Sequence, residues 1–292
     1  MLAVGALEMS LICLAAAIYG PTTPRRWASL IVAVFVPAVP FLLPVEEGFW
    51  RCFAAVFALL PIFKWIQSTV DEDPAPFLQR MWQWSAIFDV RRTRFGRPGL
   101  DLHMGLGAVL GFVAGLGGIG LVRMNAQATG PLGGLVWYVG GLLAVLGWVQ
   151  GITEAARLVH QLVGVEVPPI QRRPWLAASV REFWSQRWNR TVHDWLNRYM
   201  FRPLAKRGHP VLGVVWAFTI SAAVHFYVAW VPAGPVMGLI MASFLMAQIP
   251  LVLVERTLAP SSRRMRRLFA LGALLGSSPL FILPLNAILT LH

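Results

Sequence analysis

Charged residues are scarce in this sequence. Of its 292 residues, 13% are charged and 57% are hydrophobic, and the mean hydropathy is +0.63. A soluble protein of this length could bury a large core, but so few charged residues would cover its surface poorly. The composition therefore argues against a soluble protein and predicts a membrane protein.

Cysteine, acidic residues and lysine are also few. Cys13 and Cys52 lie in apolar runs, so neither a disulfide framework nor a metal cluster is expected. The chain has 13 acidic and 25 basic residues, a net charge of +12. Because this excess alternates with apolar runs, it indicates loops that face anionic lipid rather than a nucleic-acid binder. Lys64 and Lys206 are the sole lysines, and with abundant Arg, Ala and Gly this favours a GC-rich bacterial source and its cytoplasmic membrane.

Long apolar runs are what the sequence contains instead. About eight of them approach the ~20 residues that a bilayer-crossing helix needs. They cover approximately residues 2–19, 27–43, 49–66, 102–122, 132–152, 211–230, 236–254 and 268–289. We predict an all-α, polytopic membrane protein with about eight transmembrane helices plus interfacial helices, forming one domain over residues 1–292.

The basic residues support this topology. All but two of the 25 fall in alternate loops, and only Arg51 and Arg123 fall in the others. Cytoplasmic loops carry the excess of Lys and Arg in membrane proteins. The pattern therefore places both termini outside the cytoplasm and residues 181–207 at the cytoplasmic face. It also predicts a short interfacial helix in the polar stretch 67–100, with Trp82 and Trp84 at the headgroup level.

Two of the apolar runs, 102–122 and 132–152, are rich in glycine. Small residues allow membrane helices to approach each other closely. We therefore expect these two helices to pack through small residues. The glycines concerned are Gly111, Gly115, Gly117, Gly118, Gly140 and Gly141.

Residues 181–207 are polar, rich in tryptophan and basic. We expect them to form a helix that Pro203, followed by Gly208 and Pro210, ends before the His225 run begins. An interfacial anchor helix would explain the Trp and Arg residues. It would not require Asn189 and His193, which stand one turn apart beside Trp188. At helical spacing, one stripe of the segment would hold Trp184, Trp188, Thr191, Trp195 and Arg198.

His225 lies inside the apolar run that follows, with no acidic residue in that run. Ionisable groups inside membrane helices are costly and usually functional. The alternative is a neutral histidine bonded to a neighbouring carbonyl or serine. A neutral imidazole suits a general base near neutral pH, and it could take the proton from a hydroxyl that attacks a thioester.

These residues resemble a known family, the membrane-bound O-acyltransferases, and within it the short, wax-synthase-like branch. The similarity covers about 50 residues. One difference is Phe226, where plant wax synthases commonly have an acidic residue. The motifs that carry the resemblance are FWSQRWN at 183–189, HDWL at 193–196, YMFRPL at 199–204 and SAAVHF at 221–226.

The resemblance implies a helix bundle with a central tunnel, in which an acyl group moves from acyl-CoA to the hydroxyl of a lipophilic alcohol. It implies His225 as the general base and Asn189 as the residue that orients a reactant or polarises a carbonyl. Acyl-CoA would be a co-substrate, with no bound cofactor or metal, and the alcohol and membrane lipids would be the other partners. Arginines could hold the phosphates of the coenzyme. The expected substrate-binding residues are Trp184, Arg187, Trp188, Arg190, His193, Arg198, Arg202 and Ser221.

Other functions remain open at this point. A transporter would more often carry intramembrane charge in several helices or paired interrupted helices. A non-catalytic membrane scaffold would have no reason to hold Asn189 and His225 together. Within the acyltransferases, a polysaccharide or a natural-product hydroxyl could replace the alcohol, because the same histidine would serve.

Overall fold

The computed structural model describes residues 2–20, 22–71, 76–86, 88–89, 93–127, 129–258 and 262–291. Helices α1 to α14 are, in order, Leu2–Ile18, Thr23–Phe35, Gly48–Ala58, Leu60–Val70, Phe77–Ser85, Leu102–Met124, Pro131–Leu162, Val180–Glu182, Arg190–Leu196, Arg202–Lys206, Pro210–Ala233, Pro235–Leu258, Arg263–Ser277 and Pro279–Thr290. Strand β1 (Arg94–Phe95) pairs antiparallel with β2 (Val165–Glu166). Short 3-10 helices cover Val36–Leu42 and Pro174–Leu176, and π-helical turns cover Phe183–Arg187 and Asn197–Phe201.

Membrane-length helices dominate the fold. Within the described ranges, six helical stretches are long and apolar enough to cross a bilayer. Helices α13 and α14 make a seventh span if the 43° bend between them lies within one crossing, and α1 is a shorter apolar helix of 17 residues. The all-α polytopic fold is confirmed, whereas the number of eight crossings stays a prediction. The six stretches are Thr23–Leu42, Gly48–Val70, Leu102–Met124, Pro131–Leu162, Pro210–Ala233 and Pro235–Glu255.

Helices α6 and α7 form a hairpin packed through glycine, as the sequence predicts. A Cβ atom on Gly111 would lie 2.5 Å from the main-chain nitrogen of Gly151, and one on Gly118 would overlap the main chain of Ala144. The backbones approach closely because these positions lack side chains. Gly117 has no neighbouring heavy atom within 4 Å of a built Cβ and is not part of this contact.

Helix α11 lies among several partners and carries His225. It contacts α3, α12 and α14 along its length. The connection to α12 is a tight turn at Gly234, whose φ of 88° lies in the left-handed region that glycine adopts without strain. This arrangement places the predicted catalytic histidine inside the bundle rather than at its edge.

A short helix, α5, lies between residues 67 and 100 as predicted, and its position at the membrane interface stays a prediction. Trp84 is fully buried, and its ring centroid lies 5.7 Å from that of Tyr19, the residue after α1. The side chain therefore fills the contact between α5 and α1, and the prediction that Trp84 sits at the headgroup level stays a prediction. Trp82 stacks on His160 at 6.1 Å.

Residues 181–207 do not form one continuous helix. The chain runs through α8, a π-helical turn, a break at Trp188 and Asn189, then α9, a second π-helical turn and α10. The predicted single stripe is wrong because Asn189 has a φ of 36°, which interrupts the helical repeat. The segment ends before the His225 helix as predicted, although not at Pro203 itself. Pro203 lies in the first turn of α10, where a proline removes no needed donor, and the chain turns at Gly208 before α11 begins at Pro210.

Candidate functional site

A cavity of about 1210 Å³ lies between α4, α7, α11, α14 and the segment 183–201. Asn189 and His225 both line it, as expected of two residues that share one cavity. Whether the cavity is a continuous tunnel stays a prediction. The same wall contains Trp184, Trp188, Arg190, His193, Arg198 and Ser221.

His225 is held in one orientation by its own helix. Its Nδ1 lies 2.8 Å from the main-chain oxygen of Ser221, one turn earlier. A carbonyl oxygen only accepts hydrogen bonds, so Nδ1 carries the hydrogen in the neutral ring. Nε2 is then the nitrogen with a free lone pair. The histidine-to-carbonyl bond, which the sequence offered as an alternative to a functional role, thus selects the tautomer that a general base requires.

Asn189 occupies the break between α8 and α9. Asparagine adopts the left-handed region more readily than other non-glycine residues, which suits the φ of 36°. Its Oδ1 accepts a long hydrogen bond, 3.4 Å, from the main-chain nitrogen of Val192 and so caps α9. Because the oxygen points to the helix end, the two hydrogens of Nδ2 are the groups that Asn189 can offer to a carbonyl oxygen in the cavity.

An extended segment before α8 holds this break in place. The main-chain nitrogen of Arg172 donates to the oxygen of Arg187 at 2.8 Å, and that of Arg190 donates to the oxygen of Ile170 at 3.0 Å. These two bonds flank Asn189 on either side. The backbone at Asn189 is therefore fixed by residues that lie about 18 positions earlier in the chain, as a short ladder would fix it.

Gln171 completes that support with its side chain. Its Oε1 accepts a hydrogen bond of 3.0 Å from the main-chain nitrogen of Asn189, and its side chain is 8% exposed. Gln171 also lines the cavity. The sequence analysis missed this residue because no local pattern marks it. It lies between prolines in PPIQRRP, where a glutamine reads as part of an ordinary loop.

Arg187 braces the same region from the other side. Its Nε donates to Glu182 at 2.6 Å, and its Nη1 donates to the main-chain oxygens of Arg172 and Arg173. Burial by itself would raise the pKa of Glu182, but hydrogen bonds from the main-chain N–H of Ala178 and from Arg187 outweigh it, so the pKa lies below its usual range. Arg187 does not face the large cavity. It lines a separate pocket of about 490 Å³ with Arg172 and Arg173.

The remaining predicted arginines lie in different surroundings. Arg198 forms an ion pair of 2.7 Å with Asp71 at the end of α4, and Tyr199 donates to the same carboxylate at 2.5 Å. These contacts tie the second π-helical turn to α4. Arg202 is exposed. Arg190 lines the cavity beside Arg198. A role in phosphate binding stays a prediction for each of these arginines.

Aromatic rings connect the FW motif to the histidine. The Trp184 ring lies 6.0 Å from Phe244, Phe244 lies 5.4 Å from Phe281, and Phe281 lies 5.9 Å from His225. Phe244 and Phe281 line the cavity, and both escaped the sequence analysis because they lie on α12 and α14, far from the motifs. The cavity between the polar break and His225 is therefore walled by apolar rings.

Phe226, the residue that differs from plant wax synthases, lies elsewhere. Its ring lies 5.6 Å from Trp230, and a Cβ atom on Gly238 of α12 would meet the Phe226 main-chain oxygen at 2.7 Å. Phe226 thus packs between α11 and α12. It is not among the described residues that form the cavity wall.

The fold and the site define an integral membrane protein of helices, with a histidine and an asparagine on the wall of one internal cavity. Residues 167–246 match the sequence model of the membrane bound O-acyl transferase family, and this range includes Gln171, Asn189 and His225. The resemblance stated from the motifs is confirmed for this segment, which is similar to the membrane bound O-acyl transferase family.

Individual relatives match about a quarter of the chain. Probable long-chain-alcohol O-fatty-acyltransferase 1 of Arabidopsis thaliana is 34% identical over 76 residues, which are 23% of this chain and 22% of that protein. Probable long-chain-alcohol O-fatty-acyltransferase 2 of Arabidopsis thaliana is 36% identical over 72 residues, 25% of this chain and 21% of that protein. Diacylglycerol O-acyltransferase 1 of Corylus americana is 34% identical over 85 residues, 29% of this chain and 15% of that protein. The chain thus matches about a fifth of the length of the first two relatives.

Proposed function

We propose that this protein is a membrane-bound O-acyltransferase that transfers an acyl group from acyl-CoA to the hydroxyl of a lipophilic alcohol. The observation that supports this most is the shared cavity, whose wall holds His225 with Nε2 free and Asn189 with two amide donors. The family match and relatives named for alcohol and diacylglycerol acylation support the same reaction type.

The proposed reaction uses both residues in one step. The alcohol hydroxyl donates a hydrogen bond to His225 Nε2. As its oxygen attacks the carbonyl carbon of the thioester, the proton moves to Nε2. The carbonyl oxygen gains negative charge, which the Nδ2 hydrogens of Asn189 stabilise. The carbon–sulfur bond then breaks, and the thiolate leaves with the proton from Nε2, which yields the ester, free coenzyme A and the original histidine.

The depth of the histidine decides how the two substrates meet. His225 lies 15 residues after Pro210, the first residue of α11, which is about 22 Å along the helix at ~1.5 Å per residue. This is past the middle of a ~30 Å hydrocarbon core. The charged head of acyl-CoA would stay near the basic cytoplasmic segment while its arm extends inward. The alcohol would reach the apolar wall at Phe244 and Phe281 from the membrane.

A product assay tests the proposal directly. Purified protein is incubated with acyl-CoA donors of several chain lengths and with long-chain alcohols, a sterol-like alcohol, other natural-product alcohols and a polysaccharide. Mass spectrometry is expected to detect an ester of a lipophilic alcohol together with free coenzyme A. Acylation of the polysaccharide alone would replace the proposed acceptor. Absence of every ester from protein that remains folded would contradict the proposed activity and leave the transporter and scaffold alternatives.

A further inference from the structure

Gln171 borders two cavities of the structure. It lines the large cavity that contains Asn189 and His225, and it also lines the smaller pocket formed with Arg172 and Arg173. Its side chain is nevertheless 8% exposed. A nearly buried amide thus borders both a basic pocket and the cavity that contains His225.

Among the described residues, the amide of Gln171 forms a hydrogen bond through its oxygen but not through its nitrogen. Oε1 accepts the hydrogen bond from the Asn189 main-chain nitrogen at 3.0 Å. Among the residues that the structure describes, the buried Nε2 of Gln171 has no hydrogen-bond partner. Buried donors without partners are costly and therefore uncommon. Because Oε1 is fixed by Asn189, the direction of the Nε2 hydrogens is also fixed.

A second glutamine shows that the position of Gln171 matters as well as its burial. Gln83 in α5 is 1% exposed, and its Nε2 also has no partner among the described residues. Neither cavity wall includes Gln83 within the described part of the chain. Among the described residues, a glutamine Nε2 without a partner occurs at Gln83 and at Gln171, and of these two Gln171 is the one that borders both cavities.

The proposed reaction limits which part of a ligand passes Gln171. The thioester has to reach His225 deep in α11, whereas the charged head is favoured beside Arg172 and Arg173 at the surface. The stretch between head and thioester is the pantetheine arm. That arm carries two amides, and their carbonyl oxygens are the acceptors that an N–H donor requires.

We infer that Gln171 binds the acyl donor by donating a hydrogen bond from Nε2 to an amide carbonyl of the pantetheine arm. This inference rests on the proposed acyl-CoA-dependent reaction. The same side chain holds the backbone of Asn189 through Oε1. Gln171 thus connects recognition of the donor arm to the position of the residue that polarises the thioester.

Kinetics with two acyl donors distinguish binding of the pantetheine arm by Gln171 from its support of the Asn189 backbone. Gln171→Met keeps the size of the side chain and removes both hydrogen-bonding groups. We expect kcat/KM with acyl-CoA to fall about tenfold more than kcat/KM with an S-acyl alkanethiol, which contains no amide. Gln83→Met is the matched control, and both of its kcat/KM values are expected to equal those of the wild type. An equal loss with both donors, or no loss with either, would overturn the inference and leave the proposed function intact.

Direct binding distinguishes failure of the inference from failure of the proposed function. Pantetheine, which lacks the phosphates and the nucleotide, is titrated into purified protein in nanodiscs. Weaker binding by Gln171→Met than by the wild type and Gln83→Met supports the inference even if no thioester is turned over. Equal binding by all three, or no binding by the wild type, overturns it. If Gln171→Met does not fold, Gln171→Glu replaces it. Its carboxylate still accepts the hydrogen bond from the Asn189 main-chain nitrogen but cannot donate one. Unchanged pantetheine binding by this variant would also overturn the inference.

Discussion

The hairpin of α6 and α7 and the segment from residue 170 to residue 206 are built in opposite ways. The hairpin consists of two uninterrupted helices of 23 and 32 residues, packed through glycine. The segment consists of short helices separated by two π-helical turns and a left-handed residue, and it is held by hydrogen bonds to distant parts of the chain. One region follows its local sequence pattern, and the other departs from it.

The difference indicates where function lies. Interrupted helices and residues in sparsely populated backbone regions cost free energy and persist only where the surroundings impose them. In the segment, Glu255 accepts from the main-chain nitrogens of Val180 and Arg181, and Gln171 accepts from that of Asn189. The irregular region is thus stabilised from outside itself and borders the cavity, whereas the regular hairpin supplies a stable wall.

The largest expected effect concerns the histidine of the cavity. His225→Ala removes the proposed base and is expected to lower turnover about 10²–10⁴-fold, since that is the usual contribution of general acid–base catalysis. Turnover of acyl-CoA is measured on protein whose unfolding temperature equals that of the wild type. His103→Ala, an exposed histidine of α6, serves as the control and should retain turnover. Full activity of folded His225→Ala would contradict the proposed mechanism.

Substitutions of Asn189 separate the helix cap made by its Oδ1 from the hydrogen bonds proposed for its Nδ2. Asn189→Asp keeps an oxygen that caps α9 but removes the amide donors, so we expect turnover to fall on the order of 10²-fold with little change in unfolding temperature. Asn189→Gly keeps the left-handed backbone and removes both the cap and the donors. It should lose similar activity and also some stability. Wild-type turnover in Asn189→Asp would show that Asn189 acts through the helix cap alone.

The hairpin should respond in the opposite manner, by losing stability rather than activity. Gly111→Ala places a methyl group against the backbone of Gly151 and is expected to lower the free energy of unfolding by about 1–3 kcal/mol. Gly117→Ala, where the same methyl group meets nothing within 4 Å, is the control. Denaturation in detergent measures both, and turnover per folded molecule should match the wild type. Equal stability of the two variants would show that α6 and α7 pack differently.

The smallest expected effect is a pH dependence at Glu182. The pKa of this carboxyl is lowered in the folded protein, so its ion pair with Arg187 contributes stability above the pKa of the unfolded state. The contribution disappears as the pH falls through the lowered, folded-state pKa. Unfolding temperatures of the wild type and Glu182→Gln should therefore differ at neutral pH and converge in acid. A constant difference across this range would show that the carboxyl charge does not stabilise the segment.

The sequence by itself determined the class of protein, most of its long helices and two residues of the proposed site. Apolar runs of bilayer length form helices because such a run satisfies its backbone internally whatever its neighbours are. The glycines of α6 and α7 predicted close packing for the same local reason, although Gly117 faces away. Asn189 and His225 were found because each lies in a motif or in a run where a polar group is unexpected.

Only the tertiary structure decided what surrounds those two residues. The break at Asn189, the burial of Trp84, the cavity positions of Phe244 and Phe281, and the role of Gln171 could not be predicted, because each depends on a contact between distant positions. Gln171 reaches Asn189 across 18 residues, and Glu255 reaches Val180 across 75. Local periodicity holds no information about such pairs, since they form only when helices that are far apart in the chain pack together.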